Sequence, residues 1–211
     1  YSLCGWVALL ATRKTPVILS LMGSDAAGIF LGKDKIEFKS FFLTLSTQLI
    51  QPFVKAIVSK SENLEKKVYR KSISHLVPNG VRLDQFSIGK TSCKEELGFR
   101  KEKKYVLFLG RPNNVNKNFA LAKSAVALLN RPDVELLNIF KAPHDTVVKY
   151  LHSVDVFVLC SFNEGSPNVV KEAMACSCPM VVTDAGDAAW VVGKTPGCYV
   201  ASFEPKDFSL K

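Results

Sequence analysis

The sequence predicts an α/β protein with two Rossmann-like units, each a parallel sheet covered by helices. Three observations carry this. From Lys104 onward, short runs rich in Val, Leu and Phe alternate with segments of helical period. Those runs are apolar at consecutive positions, as strands buried on both faces must be. The first 86 residues repeat the same grammar less completely. The expected organisation is a partial first domain over 1–86, a connection over 87–103 and a second domain over 104–211.

In the second domain the predicted strands are "YVLFL" (105–109), "VELLNI" (134–139), "VDVFVLC" (154–160), "PMVVT" (179–183) and "CYVAS" (198–202). Helical patterns near 117–130, 143–152, 167–177 and 187–193 lie between them, and another begins after Pro205. In the first domain a helix over 3–12 precedes a strand "PVILSLM" (16–22) and a loop "GSDAAG" (23–28). A long helix (35–51), a strand "FVKAIVS" (53–59), a helix over 61–70 and a short strand "ISHLV" (73–77) follow. Ser59 and Glu62 have the spacing of a capping box. An open α/β domain normally starts on a strand, and the last residues stop within a helical turn. Both ends therefore read as cut, and the 211 residues as a piece of a longer chain.

Composition narrows the class. Hydrophobic residues make up 47% and charged residues 22%, as in ordinary globular domains. No apolar run reaches the roughly 18 to 20 residues that a spanning helix requires. The opening apolar stretch lacks the basic segment of a signal peptide. Cysteines 4, 93, 160, 176, 178 and 198 form no CxxC pair and neighbour no His cluster, so they read as reduced thiols in the cytoplasm rather than as a zinc site. The formal charge of +9 leans toward the first half, in "SKSENLEKKVYRK" and around Arg13 and Lys14. Such a surplus is usually a solvated surface, and it also suits an acidic membrane face or a phosphate-bearing ligand. Nucleic acid is not expected, since no aromatic and basic interleaving accompanies the charge.

Chemistry concentrates in "SFNEGSPNVVKEAMACSCPMVVTDAG" (161–186). In a parallel sheet, ligands gather beyond the carboxyl ends of the strands, where 161–166 fall. Ser166 suits an N-cap and Pro167 the first helical position. The amides of Asn168 and Val169 then open a helix whose positive end favours phosphate oxygens. Val169, Val170, Ala173 and Met174 share a core-facing side, while Asn168 and Glu172 share another. A single glutamate in such a place is usually just solvated. Glu164 on the loop and Glu172 on the helix together offer acceptors for sugar hydroxyls. The combination points to a ligand both anionic and polyhydroxylated. Arg111 and Lys117, in "FLGRPNNVNKNF" after the first strand of this half, suit a diphosphate at the same edge. GxGxxG and GxxxxGK[ST] are both missing, which argues against dinucleotide dehydrogenases and P-loop NTPases.

These residues resemble glycosyltransferase family 4, the group 1 glycosyltransferases of GT-B fold. "EGSPNVVKE" is similar to the family's E-x7-E element, "GRPNNVNKN" to its phosphate-binding element and "VPNGV" (77–81) to its interdomain hinge. The resemblance implies two Rossmann-like domains of GT-B type, the first incomplete at its N-terminus and the C-terminal return helix missing. It implies retaining transfer of a sugar from a nucleotide diphosphate to a glycan or lipid-linked acceptor, without a metal or other cofactor. Carried over, Arg111 and Lys117 hold the diphosphate and, with Glu164 at the donor sugar, form the catalytic set. Glu172 binds ribose; Gly165, Ser166, Pro167, Asn168 and Val169 touch sugar or phosphate; Pro143, in "KAPH", borders the base. Gly23, Ser24 and Asp25 face the acceptor. The implied setting is the cytoplasm, at the inner membrane surface. The chain departs from the family pattern at Trp190, which stands where a Glu is usual, at Arg82 after "PNGV", and in the short loop "NIFKAP". These bear on sugar and base preference.

Three other readings stay open: a nucleotide-sugar epimerase of the same fold, a non-catalytic nucleotide-sugar binding module, and, more weakly, a glycosidase using both glutamates. The 211 residues are expected to bind a nucleotide sugar better than they turn it over.

Overall fold

The computed structural model describes residues 2–12, 14–33, 35–87 and 93–211. Arg13 of the expected basic cluster and residues 88–92 of the expected connection lie outside them. The chain forms two compact units. Unit 1 comprises Tyr1–Asn79 with Asn163–Pro167 and Ala185–Asp187; unit 2 comprises Gly80–Phe162, Asn168–Asp184 and Ala188–Lys211. The division thus falls after Asn79 rather than at 86. Phe86 explains the shift, because it is buried in the main core of unit 2.

Unit 1 contains α1 (Ser2–Ala11), β1 (Ile18–Ser20), α2 (Ser24–Ala27), α3 (Ser40–Ile50), β2 (Ala56–Ser59), α4 (Glu62–Glu65) and β3 (Ser74–Leu76). The strands pair in parallel in the order β1-β2-β3. Leu19, Leu21, Ile50, Ile57, Leu64 and Val68 form the core.

Several boundaries differ from the sequence reading, each for a local reason. The "GSDAAG" segment is not all loop but holds α2. The long helix starts only at Ser40, after a loop pinned by a bridge between Phe30 and Ile36. Pro52 opens a 3-10 turn over Gln51–Phe53, so β2 begins later than expected. The cap of α4 is Ser61, which accepts from the Leu64 amide, whereas Ser59 belongs to β2. The helix expected over 61–70 is a single turn. Buried Gln51 supplies the alternative: its carbonyl accepts from the amides of Tyr69 (3.1 Å) and Arg70 (3.4 Å), and its amide donates to Lys67. A buried side chain that satisfies the backbone competes directly with helical bonds.

Unit 2 follows the sequence reading closely. It contains β4 (Lys104–Leu109), α5 (Phe119–Leu128), β5 (Val134–Ile139), α6 (His144–Leu151), β6 (Val156–Leu159), α7 (Asn168–Ala175), β7 (Met180–Thr183), α8 (Ala188–Val192), β8 (Cys198–Ala201) and α9 (Pro205–Ser209). All pairings are parallel, in the order β5-β4-β6-β7-β8. Neighbours along each strand enter opposite cores. Leu107, Phe157 and Met180 pack with α6, α7 and α8. Phe108, Val158 and Val181 pack with α5 and α9. That two-sided burial is why the strands read as unbroken apolar runs.

The cysteines are unbridged, and burial pushes the Cys160 and Cys178 thiols up to about 12. Among the described residues no helix is long and apolar enough to cross a membrane.

Candidate functional site

The order of the five-stranded sheet fixes where a ligand belongs. After β4 the chain crosses to β5 on one side and then to β6 on the other, so the winding reverses between β4 and β6. At such a switch point the loops leave in opposite directions and open a crevice at the carboxyl edge.

The loop after β4 carries both predicted cations. Arg111 is exposed, and its guanidinium lies 4.9 Å from the centre of the Phe140 ring, which follows β5. Lys117 ends a 3-10 turn over Val115–Lys117. Its stem lies over the end of β4: a Cβ on Gly110 would meet Lys117 Cγ at 3.4 Å. The Asn114 side chain accepts from the Asn116 amide, and Asn118 takes the left-handed conformation (φ 51°) that turns the chain into α5. The Asn138 side chain donates to the Gly110 carbonyl at 2.8 Å and braces the strand end from β5.

The loop after β6 is tied to this one. The Phe162 amide donates to the Asn116 carbonyl at 2.9 Å. Thr183 at the end of β7 donates to the Ser161 carbonyl at 2.7 Å. Three strand ends are thus bound together at the crevice.

α7 follows, with Asn168 exposed and Val169 half-buried at its start. Val170 and Ala173 enter the core, and Val169 and Met174 pack against it, as their spacing requires. Glu172 is half-buried, and burial raises its carboxyl above the ordinary range, opposed by the positive charge available to His144. His144 opens α6 beside exposed Pro143 and meets Phe86 edge-on at 6.2 Å. Unit 2 therefore brings Arg111, Lys117, Pro143, Asn168, Val169 and Glu172 onto one frame.

The remaining predicted residues pack within unit 1. Gly23 and Gly165 are close neighbours: a Cβ on Gly23 would meet the Gly165 nitrogen at 3.4 Å. Glu164 is half-buried, while Gly165 and Pro167 are buried. Ser166 was expected to cap α7 with Pro167 as its first residue, yet the helix begins at Asn168. The Ser166 hydroxyl donates to Asp187 at 2.7 Å and accepts from the Asn79 amide at 3.3 Å. Ser24 starts α2. Asp25 is fully buried and accepts from the amides of Met22 (3.0 Å) and Gly23 (2.9 Å). Its carboxylate holds its own turn instead of facing outward, as the sequence reading had it. The sequence reading missed Asn79, Asp187 and Phe140. "VPNGV" was noticed as a hinge, but only coordinates reveal that Asn79 bonds both the hydroxyl and, at 3.2 Å, the carbonyl of Ser166.

Similarity to known proteins bears on this geometry. Residues 137–211 match the family model described as Glycosyl transferases group 1. The chain is 28% identical over 202 residues to a Bacillus subtilis (strain 168) protein named for a glycosyltransferase of teichuronic acid biosynthesis, TuaC. The B. subtilis match covers 87% of this chain and 50% of that protein, so the chain spans about half the length of the curated relative. Among solved structures, sucrose-phosphate synthase from Thermosynechococcus elongatus aligns at TM-score 0.81 and 15% identity, over 100% of this chain and 61% of that one. Anabaena HepE in complex with UDP-glucose aligns at TM-score 0.73 and 16% identity, over 100% and 65%. WaaG, a glycosyltransferase involved in lipopolysaccharide biosynthesis, aligns at TM-score 0.72 and 12% identity, over 94% and 65%. At these identities the likeness establishes the fold, which is of GT-B type. The switch point of unit 2 carries the cations and the helix start singled out from sequence.

Proposed function

We propose that the protein transfers a sugar, with retention of configuration, from a nucleotide-diphosphate donor to a glycan or lipid-linked acceptor, without a metal, in the cytoplasm at the inner face of a membrane. The observation that carries this reading is the Phe162–Asn116 hydrogen bond, which joins the loop bearing Arg111 and Lys117 to the loop leading into α7. Cations and helix-start amides then serve one crevice. HepE, of the same fold, was solved with UDP-glucose, which supports a nucleotide-sugar donor here.

In this reading Arg111 and Lys117 bind the diphosphate and balance the charge that grows on the leaving group. Glu172 accepts hydrogen bonds from the ribose hydroxyls, and Pro143 borders the base. Glu164, with Gly165, Ser166 and Pro167, serves the donor sugar, while the Asn168 and Val169 amides meet sugar or phosphate. Gly23 and Ser24 face the acceptor, and Asp25 positions their turn.

The test is incubation of the full-length protein with a panel of nucleotide sugars and candidate acceptors. A glycosylated acceptor is the expected product. Interconversion of nucleotide sugars without acceptor would indicate an epimerase, and binding without turnover a non-catalytic module. Calorimetry should show weaker UDP binding for Glu172→Ala and for Arg111→Ala; unchanged affinity for both would refute the site.

A further inference from the structure

β5 ends at Ile139, and the two residues that follow are out of keeping with a strand end. Phe140 is 45% exposed and belongs to neither core of unit 2. A phenyl ring left in water forgoes the burial that ordinarily places it. Lys141 takes the left-handed conformation at φ 57°, which favours glycine or asparagine and is strained for a lysine. Neither feature serves the packing of the sheet.

The ring has neighbours of one charge. The Arg111 guanidinium lies 4.9 Å from its centre and the Lys141 ammonium 5.6 Å. Sheet register brings them together. Leu109 pairs with Ile139, the Gly110 amide donates to the Ile139 carbonyl at 2.9 Å, and the Asn138 side chain donates to the Gly110 carbonyl at 2.8 Å. These bonds set the residue after Gly110 beside the residue after Ile139. Among the described residues neither Arg111 nor Lys141 forms an ion pair.

Two cations held against one ring repel each other, and the negative face of the ring offsets only part of that. An anion in reach of both relieves the rest. The ring engages the guanidinium without occupying any of its N–H donors, which stay available to an acceptor with two oxygens. An arginine already held on a ring also has fewer rotamers to lose when a ligand arrives.

We infer that Phe140 is the positioning residue of the diphosphate site: its ring holds the Arg111 guanidinium in reach of the phosphates and gathers Lys141 as a further cation for them. This rests on the reading of Arg111 as a diphosphate ligand, while Phe140 itself touches no reacting atom.

The experiment is calorimetric titration of the full-length protein with UDP, and displacement of UDP by inorganic pyrophosphate, across a salt series. Phe140→Ala should weaken UDP binding roughly threefold to tenfold, the worth of a cation on an aromatic face. Phe140→Leu, which keeps an apolar cover without a ring, should lose as much, and Phe140→Trp, with a stronger face, should keep the parent's affinity. In an Arg111→Ala background, Phe140→Ala should cost less than about twofold more, because its effect passes through the guanidinium. Lys141→Ala should weaken binding and flatten its salt dependence. Tyr199→Ala, at a ring of like exposure on β8, should leave affinity unchanged. Pyrophosphate carries no base, so Phe140→Ala should weaken it by the same factor as UDP. If UDP weakens while pyrophosphate does not, the ring meets the base and the positioning role falls. It falls too if Phe140→Leu binds like the parent, or if the losses of Phe140→Ala and Arg111→Ala simply add. Unchanged UDP affinity in Arg111→Ala would sink the diphosphate site and the positioning role with it. A protein that binds UDP through Phe140 and Arg111 yet glycosylates no acceptor would sink sugar transfer alone and leave the role of Phe140 standing.

Discussion

The Phe162 amide donates to the Asn116 carbonyl at 2.9 Å, so the loop after β6 and the loop after β4 are held by main chain. The frame of the crevice therefore does not depend on the cations mounted on it. Arg111→Ala and Lys117→Ala should each weaken UDP binding by about tenfold to a hundredfold, the worth of a charge-assisted hydrogen bond. For Arg111→Ala the melting temperature should stay within about a degree, as for other exposed substitutions. Calorimetry and thermal melts check both. A variant that melts far lower would mean that the guanidinium holds the loop rather than a ligand.

Glu172 yields a pH prediction. Burial raises its carboxyl above the ordinary value, against the opposing effect of His144. The folded protein thus keeps the proton to higher pH than the unfolded chain does. Its contribution to stability is present below the ordinary carboxyl value and lost as pH rises through the raised one. Glu172→Gln should remove that slope and melt slightly higher than the parent at neutral pH. UDP affinity should move the opposite way, because an ionised carboxylate is the better acceptor for ribose hydroxyls. In the parent, affinity should fall as pH drops through the raised value; in Glu172→Gln it should be lower and flat. Identical pH profiles for the two proteins would end this assignment.

Asp25 is a structural acid. Its carboxylate takes the amides of Met22 and Gly23 at full burial. Asp25→Ala would leave two donors unsatisfied, at about 1–3 kcal/mol each. Asp25→Asn keeps one acceptor oxygen and should lose markedly less. Urea unfolding curves decide it, and equal losses for the two variants would contradict the bonding.

How far the sequence was legible differs between the units for a physical reason. In unit 2, Leu107 and Phe108, or Phe157 and Val158, face opposite buried cores. Strands of that kind betray themselves by unbroken apolarity, and all five were found with short errors at their ends. Unit 1 is decided by side chains acting at a distance. Nothing near 61–70 announces that Gln51 will take the amides of Tyr69 and Arg70 and end the helix after one turn. The placement of Arg111 and Lys117 on the loop after β4, and of Glu172 on α7, was legible from local pattern alone. The Ser166 bonds to Asn79 and Asp187 were not, since they join residues far apart in sequence. α3 illustrates the opposite hazard: its periodicity announced a helix correctly while its apolar stripe faced outward.

Gly165 permits the sharpest steric test. A Cβ there would stand 2.0 Å from the Met22 carbonyl oxygen and 2.8 Å from its carbon, both main-chain atoms of unit 1. A flexible side chain would swing aside, but backbone has to move as a whole. The Gly23 amide, in the same peptide as that carbonyl, donates to buried Asp25 at 2.9 Å, so the obstructing peptide is itself held. Gly165→Ala should therefore cost about 1–3 kcal/mol, the usual penalty of overpacking. Gly80→Ala is the matched control, because a Cβ there meets nothing within 4 Å, and it should change stability by no more than about 0.5 kcal/mol. If the two alanine variants unfold at the same denaturant concentration, the close approach of Gly165 to Met22 is not present in solution.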